Sequence, residues 1–190
     1  MSNTQAEATA VGTWTLDPAH SQVEFGVRHM MISTVKGTFT DLQGTLVLDE
    51  DEIENSSVEV EIDAASIDTR NEDRDQHLKS GDFFDAENHP SLTFRSSRVE
   101  QADDGLRIIG DLTIRGETRE VTLDAEELGR GTDPWGNPRI AFRAGTKINR
   151  KDFGLTWNQA LETGGVLVGN EVSIDLEVQA IPAGDGSDEE

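Results

Sequence analysis

The run Val58-Glu59-Val60-Glu61-Ile62-Asp63 sets a branched apolar residue at every second position and an acid after each one. Successive side chains of a β-strand leave on opposite faces, so a period of two describes a ribbon with one dry face and one wet face. The same alternation recurs in both directions along the chain. It sets Val23, Phe25 and Val27 against Gln22, Glu24 and Gly26, and Val172, Ile174, Leu176 and Val178 against Glu171, Ser173, Asp175 and Glu177. Leu106, Ile108, Leu112 and Ile114 repeat it, and weaker versions occupy 14–16, 42–48, 92–94, 121–125 and 140–144, which makes about nine strands. Strands of a parallel α/β sheet are apolar on both faces, so one-sided alternation points to antiparallel pairing. Turn signals fall between the runs, at Asp103-Asp104-Gly105, at Arg115-Gly116-Glu117 and across 133–138, where Pro134, Gly136 and Pro138 interrupt pairing.

One helix breaks the series. Thr69 followed by Glu72 fits a capping box, and Asn71–Lys79 is charged throughout with Leu78 as its one large apolar residue, so it should lie over a surface or a barrel mouth. A shorter turn is expected at Met30–Ser33. Many strands, few helices and no internal repeat leave two all-β architectures, a sandwich or a closed barrel.

The chain of 190 residues is long enough to fold as one domain around one core, and it has no cysteine. That excludes a disulfide framework, a zinc–thiolate site and a thiol nucleophile. The formal charge is −22, from 38 acids against 16 bases. Such a field repels nucleic acid and anionic surfaces. Acids on outward strand faces, such as Glu59, Glu61 and Asp63, suit concentrated salt, because at about 1 M the Debye length shrinks to about 3 Å and self-repulsion is screened. A salt-tolerant or halophilic source is therefore expected, against the plainer reading of an ordinary acidic protein. No secretion signal is evident near Met1 and no run of about 18 apolar residues occurs, so the expectation is a cytoplasmic protein without stable membrane insertion.

The residues also carry a family resemblance. Trp14, Leu16, Asp17, Pro18, His20 and Ser21, then Val23, Phe25, Val27 and His29, with Gly37 and Phe39 following, resemble the opening of the YceI-like polyisoprenoid-binding family. Ala64–Thr69, His77-Leu78, Phe83-Phe84-Asp85, Pro90 with Phe94, Gly110–Gly116 and Arg150–Gly154 follow the same pattern in the same order, over about residues 13–181. The resemblance implies an extended lipocalin-like antiparallel β-barrel of about eight strands with one or two short helices, its interior taking a long isoprenoid or other lipid-like chain. The ends beyond it are polar, small-residue or acidic, so the chain divides into a flexible segment 1–12, a barrel domain 13–181 and an acidic flexible tail 182–190. Members of that family are often periplasmic.

A ligand with an apolar tail and a polar head needs two surroundings. Strand parity selects Val23, Phe25, Val27, Phe39, Val58, Val60, Ile62, Phe94, Leu112, Ile114, Phe142 and Trp157 as the tail-binding set, although inward residues of small barrels often simply pack. For a charged head the cations are Arg28, Lys36, Arg143, Lys147, Arg150 and Lys151. Arg150 with Lys151 is the leading pair, and Arg28 and His29 stand beside it. Asp17, His20, Ser21 and His29 include the residue types of a hydrolase triad, but Asp17, His20 and Ser21 share one short stretch that hardly aligns nucleophile, base and orienter. His20 is expected to be a turn residue bonded to backbone, and His29 to end a strand near the barrel mouth. His77 and His89 lack a second strong ligand pair nearby, so no metal site is expected. Gly164, Gly165 and Gly169 lack the lysine and hydroxyl of a phosphate loop, and the spacing of Asp82 and Asp85 supports neither a calcium loop nor a glycosidase pair. The expected function is non-catalytic binding, sequestration or transport of a polyisoprenoid, isoprenoid quinone or related lipid, with no other cofactor. The alternative is an enzyme or accessory factor of isoprenoid or quinone metabolism on the same barrel. Two copies could pair along an exposed strand edge, against the negative field.

Overall fold

The structure, a computed structural model, describes residues 11–184. Its strands are β1 (Val11–Leu16), β2 (Gln22–His29), β3 (Ser33–Phe39), β4 (Leu42–Asp49), β5 (Ser57–Asp63), β6 (Ile67–Asp68), β7 (Ser91–Ala102), β8 (Gly105–Ile114), β9 (Glu117–Thr132), β10 (Pro138–Asn149) and β11 (Val168–Pro182), and one α-helix, α1 (Glu72–Lys79), lies between β6 and β7. β1 thus begins at Val11, inside the segment expected to be flexible. Residues 1–10 and 185–190 lie outside the described part.

The strands pair antiparallel in the order β1-β4-β5-β7-β8-β9-β10-β11, with β11 returning to β1 and carrying β2, β3 and β6 beyond. Three of the strands are bent. β1 and β2 are one path broken at the single turn Pro18–His20, where proline supplies no ladder N–H and Asp17 accepts from Ala19 N at 3.0 Å. β3 passes into β4 through Thr40 and Asp41, and β5 into β6 through the turn Ala64–Ser66, capped by Asp63. Counting each bent path once gives a closed barrel of eight strands. β11 closes it by pairing Ile174 with Phe25 of β2 and Ala180 with Leu16 of β1.

The barrel has two distinct ends. The near end carries the β2–β3 hairpin tip, α1, the β8–β9 turn and the connection from β10 to β11. The far end carries the start of β1, the β4–β5 connection and the β7–β8 and β9–β10 turns. β4 and β9 sit diametrically opposite in the strand order, yet Arg130 of β9 reaches Glu50, just past β4, at 2.6 Å. That pair straps the far end across its diameter.

Helix α1 starts differently from the capping-box expectation. Asn71 is the N-cap and accepts from Arg74 N at 3.0 Å. Arg70, at φ 62°, turns the chain out of any helical path between Thr69 and Asn71. Thr69 is instead buried, donating its backbone N–H to Asp75 at 2.9 Å and accepting from Arg74 Nε at 2.8 Å. The turn expected at Met30–Ser33 is the β2–β3 hairpin tip, with Met30 and Met31 both at positive φ.

The apolar cluster includes Leu16, Val23, Phe39, Leu42, Ile67, Leu92 and Ile140, with Phe83 and Phe153 at the near end. Three aromatic contacts hold α1 and its following turn together and to the near end. Phe84 meets Phe39 edge-on at 5.6 Å, and the His77 ring stands edge-on to Trp157 at 4.7 Å and to Phe83 at 5.1 Å.

Candidate functional site

The inward faces do not fill the barrel. They enclose a cavity of about 350 Å³ to which every strand except β6 contributes. A volume more than ten times the roughly 30 Å³ share of one water molecule is no packing defect, and it falls within the range of small-molecule sites. The twelve side chains selected by strand parity all line it, from Val58 and Val60 on β5 to Phe142 on β10 and Trp157 beyond it. Parity would have found more: Val172, Ile174, Leu176 and Val178 of β11 line the cavity too, as do Ile108 and Leu123.

The chargeable groups on this wall are Arg28, His29, Arg74, His77 and Arg150, and no Asp or Glu stands on the wall with them. All five belong to near-end elements. Arg74 and His77 were invisible as site residues in the sequence, because α1 reads as a solvated charged helix and only its docking across the mouth turns these two inward.

Arg150 is 3% exposed, although it opens a charged-looking turn. The single-turn helix Arg150–Phe153 is capped by Asn149, and side chains three apart in such a turn share a face. Arg150 and Phe153 therefore point inward, while Lys151 is exposed and absent from the cavity wall. That removes Lys151 from the expected head-group pair. Arg150 Nε donates to Gly169 O at 2.8 Å, Nη1 to Leu155 O at 2.6 Å and Trp157 O at 2.8 Å, and Nη2 to Val168 O at 3.3 Å. Of the five N–H groups of a guanidinium, four are thus spent on backbone. Its counter-charge is only these carbonyl dipoles, and burial lowers its pKa from the ordinary value. Arg28, at the surface edge of the wall, donates to Met31 O at 3.1 Å.

The remaining cations considered for a head group face solvent in ion pairs: Lys36 with Glu24, Arg143 with Glu126 and Glu177, and Lys147 with Glu171. Exposed pairs of this kind contribute little. His29 ends β2 at the near mouth. His20 differs from the expected backbone-bonded turn residue, for its Nδ1 meets Asp17 Oδ2 at 2.7 Å. Asp17 also accepts from Arg139 Nη1 at 2.7 Å, and these two bonds, Arg139's first, hold its carboxyl down at about 2. Ser21 donates to Gln179 O at 3.3 Å and accepts from Gln179 N at 3.1 Å, so Asp17, His20 and Ser21 form no catalytic relay. His77 pairs with Asp82 at 2.9 Å, a half-exposed contact at the rim. Among the described residues no three His, Asp or Glu side chains converge as metal ligands, and no helix is long and apolar enough to cross a membrane.

A closed antiparallel barrel with a hollow apolar interior, polar at one mouth, defines the lipocalin-like class. Within that class the chain belongs to the YceI-like domain family, whose pattern matches residues 14–180. It is 38% identical over 164 residues to the UPF0312 protein SERP2314 of Staphylococcus epidermidis, covering 86% of this chain and 94% of the relative. The crystal structure of Burkholderia cenocepacia BcnA superposes with a TM-score of 0.76 at 25% identity, covering 86% of this chain and 98% of that one. A polyisoprenoid binding domain from Saccharophagus degradans, implicated in plant cell wall breakdown, shares the fold at a TM-score of 0.62 and 15% identity, covering 90% of this chain and 98% of that one.

Proposed function

We propose that this protein is a non-catalytic carrier or sequestering protein for a single long apolar chain with a polar or anionic head, of the polyisoprenoid or isoprenoid-quinone kind. The observation that carries the reading is the gradient of the cavity wall. Apolar side chains line most of its length, and its chargeable groups, with no Asp or Glu on the wall beside them, all stand at the near end. A tail would lie against Val58, Val60, Ile62, Phe94 and Leu112, and a head would rest near Arg28, His29, Arg74 and the remaining N–H of Arg150. Such an arrangement discriminates by removal from water and offers no paired acid and base at a reacting centre. The fold shared with the Saccharophagus domain agrees with this reading.

The rim pair of His77 and Asp82 favours a second reading, an enzyme of isoprenoid or quinone metabolism on the same barrel. His77 is held edge-on by two aromatic rings, which suits closure of the mouth better than proton transfer. Native mass spectrometry of protein purified from its own host, followed by lipid extraction, tests the carrier: one equivalent of intact lipid is expected. Recovery of no stoichiometric lipid would overturn it, and chemically altered lipid whose formation stops in His77→Gln would favour the enzyme.

A further inference from the structure

Met30, Met31 and Ile32 form the tip of the β2–β3 hairpin, and they are 43%, 63% and 75% exposed. Two of them sit in a conformation that methionine disfavours. Met30 has φ 54° and Met31 φ 62°, closed by Ile32 N donating to His29 O at 3.2 Å, a turn in which asparagine and glycine are the unstrained choices. The tip is continuous with the cavity wall: Val27 and His29 lead into it on that wall, and Met30 N donates to Leu167 O, whose own side chain lines the cavity, at 2.8 Å. Val166, 40% exposed, extends the apolar surface from the neighbouring connection, where Met31 lies over Gly165.

The two segments that build the tip differ in charge from the rest of the chain. In a chain with 38 acids, residues 25–40 contain none, and 153–170 contain only Glu162. Arg28 braces the turn through Met31 O, one step behind the apolar side chains. Cations in that position reach the phosphate level of a bilayer when apolar residues enter the acyl boundary. Three side chains on a protruding turn are far short of the roughly 800 Å² per partner of a stable protein interface, whereas a lipid surface needs only such a tip.

We infer that the Met30–Ile32 tip is where the protein docks transiently on a lipid surface, setting the near mouth of its cavity against the bilayer. This rests on the carrier reading for its purpose, but the docking is testable without a cavity ligand. The full chain is floated with neutral phosphatidylcholine vesicles and compared with the double variant Met31→Asn, Ile32→Ser. Asparagine suits the left-handed turn, so the variant should melt no lower than the parent while losing roughly tenfold or more of its vesicle partitioning. A Met31→Trp variant should be quenched by dibrominated phosphatidylcholine, whereas Trp135, 81% exposed at the far end, should not contribute. Entry of a fluorescent naphthylamine dye into the cavity, measured without vesicles, should be unchanged by the tip substitutions. Equal flotation of parent and variant, or no flotation of the parent, would overturn the docking. Failure of the dye to enter while flotation still depends on the tip would defeat the carrier reading and leave the docking standing.

Discussion

Replacing Arg150 by methionine keeps an unbranched apolar stem and removes every donor. The carbonyls of Leu155, Trp157, Val168 and Gly169 would then lose their guanidinium partner at a site that is 3% exposed. Each unpaired buried carbonyl costs about 1–3 kcal/mol, partly offset because no charge need be buried and because water from the cavity can reach some of them. A net loss of about 3–5 kcal/mol follows, a large share of a typical domain's 5–15 kcal/mol. With a urea dependence of about 2 kcal/mol per M, the unfolding midpoint should fall by about 2 M. Lysine in the same place has three donors without the planar fork and should recover only part of the loss. Urea titration followed by tryptophan fluorescence reads both variants. A loss below about 1 kcal/mol for Arg150→Met would refute the assignment of Arg150 as the clamp that holds the β10–β11 connection to the barrel.

If the interior is hollow, Val60→Trp has space to occupy, so the unfolding free energy should stay within about 1 kcal/mol of the parent while lipid retention falls; a filled core would instead lose about 1–3 kcal/mol, which calorimetry distinguishes. Asp17 is held at about 2 against its ordinary 3.8, first by Arg139, so its stabilisation is complete above that ordinary value and disappears as the pH falls through about 2. Arg139→Leu should therefore destabilise the protein at neutral pH and much less at pH 2, and an equal cost at both would contradict the pairing. The outward acids predict a melting temperature that climbs from dilute to multimolar KCl as self-repulsion is screened, and unchanged melting across that range would argue against salt adaptation.

The barrel was legible because its strands are wet on one side: the period of two in Val58–Asp63 and Val172–Val178 sets both the antiparallel pairing and the face that turns inward. Local parity could also name the apolar wall of the cavity, since side-chain direction is a property of the strand itself. Parity said nothing about the three bends that reduce eleven segments to eight strands, because a strand and its kinked continuation look like two strands. The polar end was less legible for a related reason. Arg150 and Lys151 are indistinguishable as letters, and only the tight turn capped by Asn149 sends one inward and the other out. Arg74 and His77 gained a place on the wall through the docking of α1, a tertiary event with no local signature. The capping box at Thr69 and Glu72 was overruled by the left-handed Arg70.

The strap from Arg130 to Glu50 bears on traffic through the molecule. The two mouths are unequal: one exposed ion pair spans the far rim without sealing it, and the chargeable groups of the wall all stand at the near one. A carrier built this way would load and release through the near mouth by preference.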